Sequence, residues 1–304
     1  MIDNLIIGTS YHAPIVGKYM PGKNKVLNMS NKKDLIKSSL LFPFSKKIIY
    51  VYSPVGNRKY ILLLQILNKI FRKNILIFWI GTDVLDAQKP ENEKSKNFLV
   101  NSKKIKNFTE CHWLSTELSN IGINSTVGPY ITYSSLFEDS FNEKSEYRTF
   151  HKKLIILTYA RSNREEFYGL NIIKDLAIEH PDIEFRIVGV DNEDTENIKY
   201  LGWIDKNELK KQYLDAHIFL RIPEHDGLSY SVLEAMYNGL YVIFNYQYPN
   251  TFFSERNKDS VSKLIIELKD KIAKEPFNKS AHLYIEKNYV LHNQSEINIK
   301  KVKY

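Results

Sequence analysis

Between Arg221 and Asn245 the chain reads RIPEHDGLSYSVLEAMYNGLYVIFN. Two carboxylates, Asp226 and Glu234, stand there with seven residues between them. An apolar run ending near Ile222 reads as a strand, and Ser229 stands where it would N-cap a helix over Tyr230–Asn238. Gly239 supplies a left-handed helix end, and a second apolar run follows at once. A Gly-containing turn entering a helix at the carboxyl edge of a parallel sheet is an anion site. Its amides point outward with the positive end of the helix dipole. Carboxylates beside such a site suit sugar hydroxyls better than phosphate. Arg221 leaves its strand beside the turn, placed either for phosphate or sugar contact or for a surface ion pair. His225 either contacts ligand or packs the loop.

The elements that must hold these residues alternate along the chain. Strands are expected at Leu5–Gly8, Lys25–Met29, Ile48–Tyr52, Ile75–Ile80 and Cys111–Leu114, with helices at Asn57–Arg72 and Glu91–Ile105. In the second half strands are expected at Leu154–Tyr159, Ile183–Val190, Ile198–Leu201, His217–Ile222 and Tyr241–Asn245. Helices are expected there at Gly169–Glu179, Lys206–Asp215, Ser229–Asn238 and Ser260–Lys274. Strand–helix alternation with nearly continuous apolar strands implies parallel sheets covered on both faces. The polar stretch Ser134–His151 reads as the boundary between two doubly wound α/β domains, 1–140 and 141–304, with a cleft between them. Ligands in such folds bind beyond the carboxyl ends of the strands. The residues after Val290 read as a polar tail.

Composition narrows the classes. With 26% charged and 43% hydrophobic residues, the 304-residue chain is neither disordered nor collagen-like. A single cysteine, Cys111, excludes a disulfide framework and a multi-Cys metal site. No apolar run is long enough to span a bilayer and no signal peptide opens the chain, so the expected location is cytoplasmic. The net charge of +8 is uneven: residues 1–150 carry a surplus of +9 and the remainder −1. A basic first half suits a nucleic acid, an anionic membrane or a phosphorylated small molecule, or reflects a Lys-rich composition. The segment NRKYILLLQILNKIFRK (57–73) has basic ends and an apolar body. It either lies on an anionic membrane or packs on the sheet through Ile61, Leu64, Leu67, Ile70 and Phe71.

The 221–245 segment resembles the nucleotide-sugar motif of retaining GT-B glycosyltransferases, glycosyltransferase family 4 in particular. That motif has an acid, Gly, six residues, then Glu, Ala, Met or Leu, followed by Gly, two residues and an Ile/Val-rich strand. Asp226, Gly227, Glu234, Ala235, Met236, Gly239, Val242 and Ile243 match it. The first acid is Asp here where the family has Glu. The resemblance extends over IEFRIVG (183–189), NIKYLGW (197–203) and Lys206–Ala216. It implies that Glu234 holds the ribose hydroxyls, Asp226 contacts the transferred sugar, and Gly227, Leu228 and Ser229 cradle the diphosphate. Gly189 would stand beside the base. Arg161 matches the family's diphosphate-binding Arg, while the usual Lys is replaced by Tyr168, with Arg164 and Arg221 as candidate replacements for that cation.

The first half resembles the acceptor domain of the same fold. NLIIGTSYHAPIVG (4–17) is a strand and loop in which Gly8 would approach the donor phosphates and His12 would meet substrate. In IFWIGTDVL (77–85), Trp79, Thr82 and Asp83 fall at the carboxyl end of a strand, where acceptor contacts are expected. Asp83 has two readings, as a first-turn helix residue or as an acceptor-binding group or base. Ser115 is expected to N-cap a helix with Glu117 in its first turn.

The resemblance implies a glycosyltransferase acting in surface polysaccharide or glycolipid synthesis. It would move a sugar from a nucleotide diphosphate sugar, its donor substrate rather than a cofactor, to a glycan or lipid-linked hydroxyl. The chain contains no Asp-x-Asp, and no metal is expected. An anionic membrane surface is a candidate partner of the basic half, which would make the protein peripheral at the inner face; no nucleic acid is expected. A nucleotide-sugar epimerase of the same fold and a non-catalytic nucleotide-sugar or anionic-polymer binder are the alternatives. An NAD-dependent dehydrogenase is disfavoured, since no G-x-G-x-x-G follows the first strand of either half.

Overall fold

The computed structural model describes residues 1–128 and 153–290. The expected boundary at Ser134–His151 and the tail beyond Val290 lie outside the described residues. The described chain forms two compact units: 1–128 together with Asp226–Leu228, and 153–225 with 229–290.

The first unit runs β1 (Ile2–Gly8), α1 (His12–Tyr19), β2 (Asn24–Asn28), α2 (Lys32–Leu41), β3 (Ser45–Val51), α3 (Arg58–Phe71) and β4 (Asn74–Trp79). It continues through α4 (Thr82–Gln88), α5 (Glu93–Asn101), β5 (Ile105–Thr109), α6 (His112–Asn120) and β6 (Ser125–Val127). Its strands are parallel in the order β2-β1-β3-β4-β5-β6. β1 and β3 approach closely at their carboxyl ends. A Cβ on Gly8 would lie 2.2 Å from the Val51 carbonyl oxygen, so only glycine fits there.

The second unit comprises β7 (Ile155–Tyr159), α7 (Leu170–Glu179), β8 (Glu184–Val188), β9 (Ile198–Gly202), α8 (Lys206–Asp215) and β10 (Ile218–Arg221). Then follow α9 (Tyr230–Tyr237), β11 (Tyr241–Phe244), β12 (Phe252–Phe253), α10 (Lys258–Lys274) and α11 (Lys279–Ile285). All strands are parallel in the order β9-β8-β7-β10-β11-β12. Ile156, Phe185, Ile218 and Ile243 join Ile173 and Leu176 of α7 and Ile265 and Leu268 of α10 in one core. Polar caps fix the helix starts. Asp205 accepts from the Glu208 amide at 2.9 Å to begin α8, and Asn257 accepts from the Ser260 amide at 2.8 Å to begin α10.

The structure departs from the sequence reading in several places. Cys111–Leu114 is not a strand: Cys111 is the N-cap of α6, and Leu114 and Leu118, four apart, bury one helix face. Ser115 therefore lies inside α6 and does not cap it, and Glu117 lies beyond its first turn. The strand is instead Ile105–Thr109, hidden in the sequence by its polar Lys106, Asn107 and Thr109, and the expected helix to Ile105 stops at Asn101. Helices α1 and α2 were not expected; α2 is started by Asn31, whose side chain accepts from the Lys33 amide at 2.9 Å.

The end of α9 matches its sequence signal. Gly239 is left-handed at φ 73°. Leu240 donates to the Ala235 carbonyl and Gly239 to that of Met236, both at 3.0 Å, which is the Schellman pattern. A Cβ at 239 would also strike the Phe277 ring at 2.1 Å. Gly122 shares the conformation at φ 83° but has open space around it. Gly239→Ala is therefore expected to cost about 2–4 kcal/mol, against about 1–2 kcal/mol for Gly122→Ala. Urea unfolding of the two variants measures the difference.

Candidate functional site

In the second unit the order β9-β8-β7-β10-β11-β12 reverses direction between β7 and β10. Chain crossovers leave that point on opposite sides, so the carboxyl ends of β7 and β10 border a crevice. Arg161 follows β7 and is exposed. Gly189 follows β8 at φ 89°, where a Cβ would meet the Ala160 carbonyl oxygen at 2.3 Å. Arg221 ends β10, and the loop through His225, Asp226, Gly227, Leu228 and Ser229 leads directly into α9. Three neighbouring strands thus deliver Arg161, Gly189 and Arg221 to one sheet edge.

Arg221 is 7% exposed. Its guanidinium stands 4.9 Å from the centroid of the Tyr168 ring and 5.7 Å from that of Tyr159. The two rings pack edge to face at 5.6 Å. Burying a cation is costly unless the surroundings answer its charge, and aromatic faces do so through their quadrupoles. Tyr168, which stands where the resemblance expected Lys, is therefore a holder for the Arg221 cation. Arg164 does not substitute in the same way: its guanidinium lies over the Phe167 ring at 3.9 Å.

The 222–229 loop is tied at its start. Arg256 donates to the Ile222 carbonyl at 3.1 Å and to that of Glu166 at 2.5 Å, and the Asn245 side chain donates to the Pro223 carbonyl at 2.7 Å. His225 and Asp226 are half-buried, whereas Gly227, Leu228 and Ser229 are buried. Ser229 holds the N-cap position of α9, but its side chain makes no capping bond and instead meets the Ser231 hydroxyl at 2.9 Å. The capping expected of Ser229 is thus not made by its side chain.

Glu234 lies on α9, one turn into the helix. Its carboxylate accepts from the Tyr213 hydroxyl at 3.0 Å. Burial pushes its carboxyl up to about 7, against the opposing effects of the Tyr213 hydrogen bond and the Lys206 charge. Sequence reasoning missed Tyr213, Tyr159 and Arg256. Their partners are remote along the chain, and no local spacing marks them.

The first unit's expected residues fare differently. Trp79 is wholly buried, and its indole donates to Asn107 Oδ1 at 3.0 Å. It is a core residue, not an acceptor contact, because β4 is a central strand. Asp83 is also wholly buried. One carboxylate oxygen accepts from the Ile80 and Gly81 amides at 3.1 and 2.9 Å, and the other from Ser53 at 2.7 Å. Burial raises its carboxyl to about 6 despite these bonds. Of its two readings the geometry supports the structural one: it joins the ends of β3 and β4. Thr82 is the exposed first residue of α4. His12 begins α1, with Nδ1 2.9 Å from the Thr9 hydroxyl, and burial lowers it to about 4, so it is neutral at ordinary pH. Gly8 is explained by the β1–β3 approach.

Among the described residues no group of three or more His, Cys, Asp or Glu side chains is arranged to hold a metal ion. No helix among them is long and apolar enough to cross a membrane.

No protein-family model matches the sequence, and no curated protein matches it. Solved structures do. HepE from Anabaena, in complex with UDP and glucose, superposes with a TM-score of 0.67 at 12% identity, covering 99% of each chain. Sucrose-phosphate synthase from Thermosynechococcus elongatus gives 0.67 at 12% identity, over 96% of this chain and 98% of that one. An apo structure of OtsA gives 0.69 at 10% identity, over 99% of each. These likenesses establish the GT-B fold expected from the sequence.

A carboxyl held up near 7 makes stability depend on pH. Folding favours protonated Glu234, because its folded value exceeds the ordinary 4.5. That contribution is whole below about pH 4.5 and is lost as pH rises through about 7. Glu234→Gln, which mimics the protonated form, should match the wild type at pH 4 and exceed its stability at pH 8. The expected gain is on the order of 2–3 kcal/mol. Denaturant unfolding at the two pH values checks it.

Proposed function

We propose that the protein is a glycosyltransferase that takes a sugar from a nucleoside diphosphate sugar bound at the carboxyl edge of the second unit. The observation that carries this reading is the joint placement of Arg161, caged Arg221 and the side-chain-uncapped start of α9 around one strand-order reversal. Glu234 follows within the same helix. The likeness to HepE, whose structure holds UDP and glucose, supports it.

In this reading the Glu234 carboxylate accepts hydrogen bonds from the two ribose hydroxyls. The diphosphate lies against Arg221, Arg161 and the amides of Gly227, Leu228 and Ser229. Asp226 and His225 face the transferred sugar, and Gly189 leaves room for the base. During transfer the bond between the anomeric carbon and the diphosphate oxygen breaks, and its electron pair goes to that oxygen. An acceptor hydroxyl oxygen bonds the anomeric carbon on the same face, giving retention. Its proton passes to the departing diphosphate. Charge grows on the diphosphate in this step, and Arg221 is already desolvated and fixed by its tyrosines, so it stabilises that charge without reorganising. The acceptor is a glycan or lipid-linked hydroxyl, for which His12 and Thr82 remain candidate contacts. Surface polysaccharide or glycolipid assembly is the process proposed for it.

The test is release of nucleoside diphosphate from a panel of nucleotide sugars, with binding followed by thermal shift. Glu234→Ala is expected to weaken UDP binding at least about tenfold, and Arg221→Ala to lower kcat/KM by roughly 10²–10³. Arg221→Lys should not restore activity, since an ammonium does not stack on the two tyrosines as a planar guanidinium does. Full turnover by the Glu234 and Arg221 alanine variants would sink the assignment. A changed sugar formed without acceptor would mark an epimerase instead.

A further inference from the structure

Seven of the fifteen large hydrophobic side chains that stand exposed among the described residues fall between positions 36 and 71. They form stripes. Ile36 and Leu40 are four apart on α2, and Leu62, Ile66 and Ile70 are four apart on α3, so each set lines one helix face. Each of these five side chains is 50–64% exposed, and Phe44, just after α2, is 67% exposed. This departs from the sheet-packing alternative of the sequence reading, which placed Ile70 and Phe71 against the sheet. Ile61 and Leu64 are buried as expected, but Ile70 and Phe71 are exposed.

The two stripes belong to one surface. At their amino ends α2 and α3 border a common cavity of about 420 Å³ lined by Asn31, Lys32, Leu35, Arg58, Lys59 and Tyr60. At their carboxyl ends Phe42 packs on Phe71, with ring centroids 6.3 Å apart, and Lys73 donates to the Pro43 carbonyl at 3.0 Å. Helices adjacent at both ends run side by side.

The charge around this face has one sign. Residues 30–74 contain ten Lys and Arg and a single acid, Asp34. Asp34 is occupied by the Asn28 amide at 2.9 Å and by Lys37 at 3.2 Å. Lys32, Arg58 and Lys59 lie at the amino ends of the helices, and Lys69, Arg72 and Lys73 at the carboxyl end of α3. A soluble face built of bare aliphatic stripes is exposed at a cost in water. Apolar side chains bounded by cations at both ends match the acyl boundary and phosphate layer of an anionic bilayer.

We propose that the α2–α3 face of the first unit is a membrane-docking surface. Leu62, Ile66, Ile70, Ile36, Leu40 and Phe44 enter the acyl boundary, and the flanking lysines and arginines meet lipid phosphates. The surface is independent of the transfer reaction proposed above, and its test needs no nucleotide sugar.

The experiment is co-sedimentation of the full chain with vesicles of mixed phosphatidylglycerol and phosphatidylcholine, and of phosphatidylcholine alone. The wild type is expected to partition at least tenfold more strongly onto the anionic vesicles, with part of that binding lost at high salt. The triple variant Leu62→Ser, Ile66→Ser, Ile70→Ser should bind anionic vesicles at least tenfold more weakly. The pair Lys69→Glu, Arg72→Glu should bind more weakly and lose most of its salt dependence. All substituted side chains are at least partly exposed, and circular dichroism and thermal unfolding confirm that each variant stays folded. Equal binding to both vesicle types, or undiminished binding by the serine variant, overturns the proposal. So does a wild-type dimer that the serine variant makes monomeric without change in vesicle binding, since the face would then be a protein interface. Absence of UDP binding by the wild type would defeat the donor assignment and leave this result standing.

Discussion

Everything chemical in the second unit hangs on the parallel pairing of β7 and β10 at the point where strand order reverses. Parallel strands must be joined by crossovers, so all their carboxyl ends fall on one edge. Where the order reverses, successive crossovers diverge and leave a gap that no connection covers. Arg161 and Arg221 leave the two strands that border it. Gly189, on the next strand, permits the close approach that brings β8 to the same edge.

Within that edge the costly placements concentrate. A guanidinium is buried beside a pair of tyrosines, and burial raises the Glu234 carboxyl to about 7. Neither arrangement is what packing alone would select, since aliphatic residues fill such positions without desolvating a charge. Perturbed titration and buried cations gather where ligands bind. By contrast, the most buried carboxylate of the first unit, Asp83, is fully engaged by backbone amides. The same physical sign, a raised carboxyl, belongs in one case to the residue proposed to hold the ribose and in the other to a structural joint. Hydrogen-bond partners separate them.

The first unit shows a different use of the same architecture. Its helices cover the sheet with one face and leave another bare, and in α2 and α3 the bare face is aliphatic with a basic border. The +9 surplus of the first 150 residues thus has a location. Much of it brackets an apolar surface.

Local signals in the sequence determined much of this protein. Apolar runs of strand length and the Gly239 helix end are local, so most of the second half was legible, β12 and α11 excepted. The Asp226–Gly227–Glu234 spacing was legible too, because a strand, a turn and one helical turn place it without help from distant residues. Legibility failed where partners are distant. The polar β5 is a strand because β4 and β6 flank it, and Asn107 is there to receive the Trp79 indole. Asp83 looked chemical until the amides of Ser53, Ile80 and Gly81 claimed its oxygens. Tyr168 looked like a missing lysine until Arg221, more than fifty positions away, was found with its guanidinium over the ring. Which face of α3 meets water is likewise not written in its own periodicity, because the sheet and α2 together choose the side that is buried. Hydrogen bonding within a few residues is encoded locally; burial and charge compensation depend on what the fold brings near.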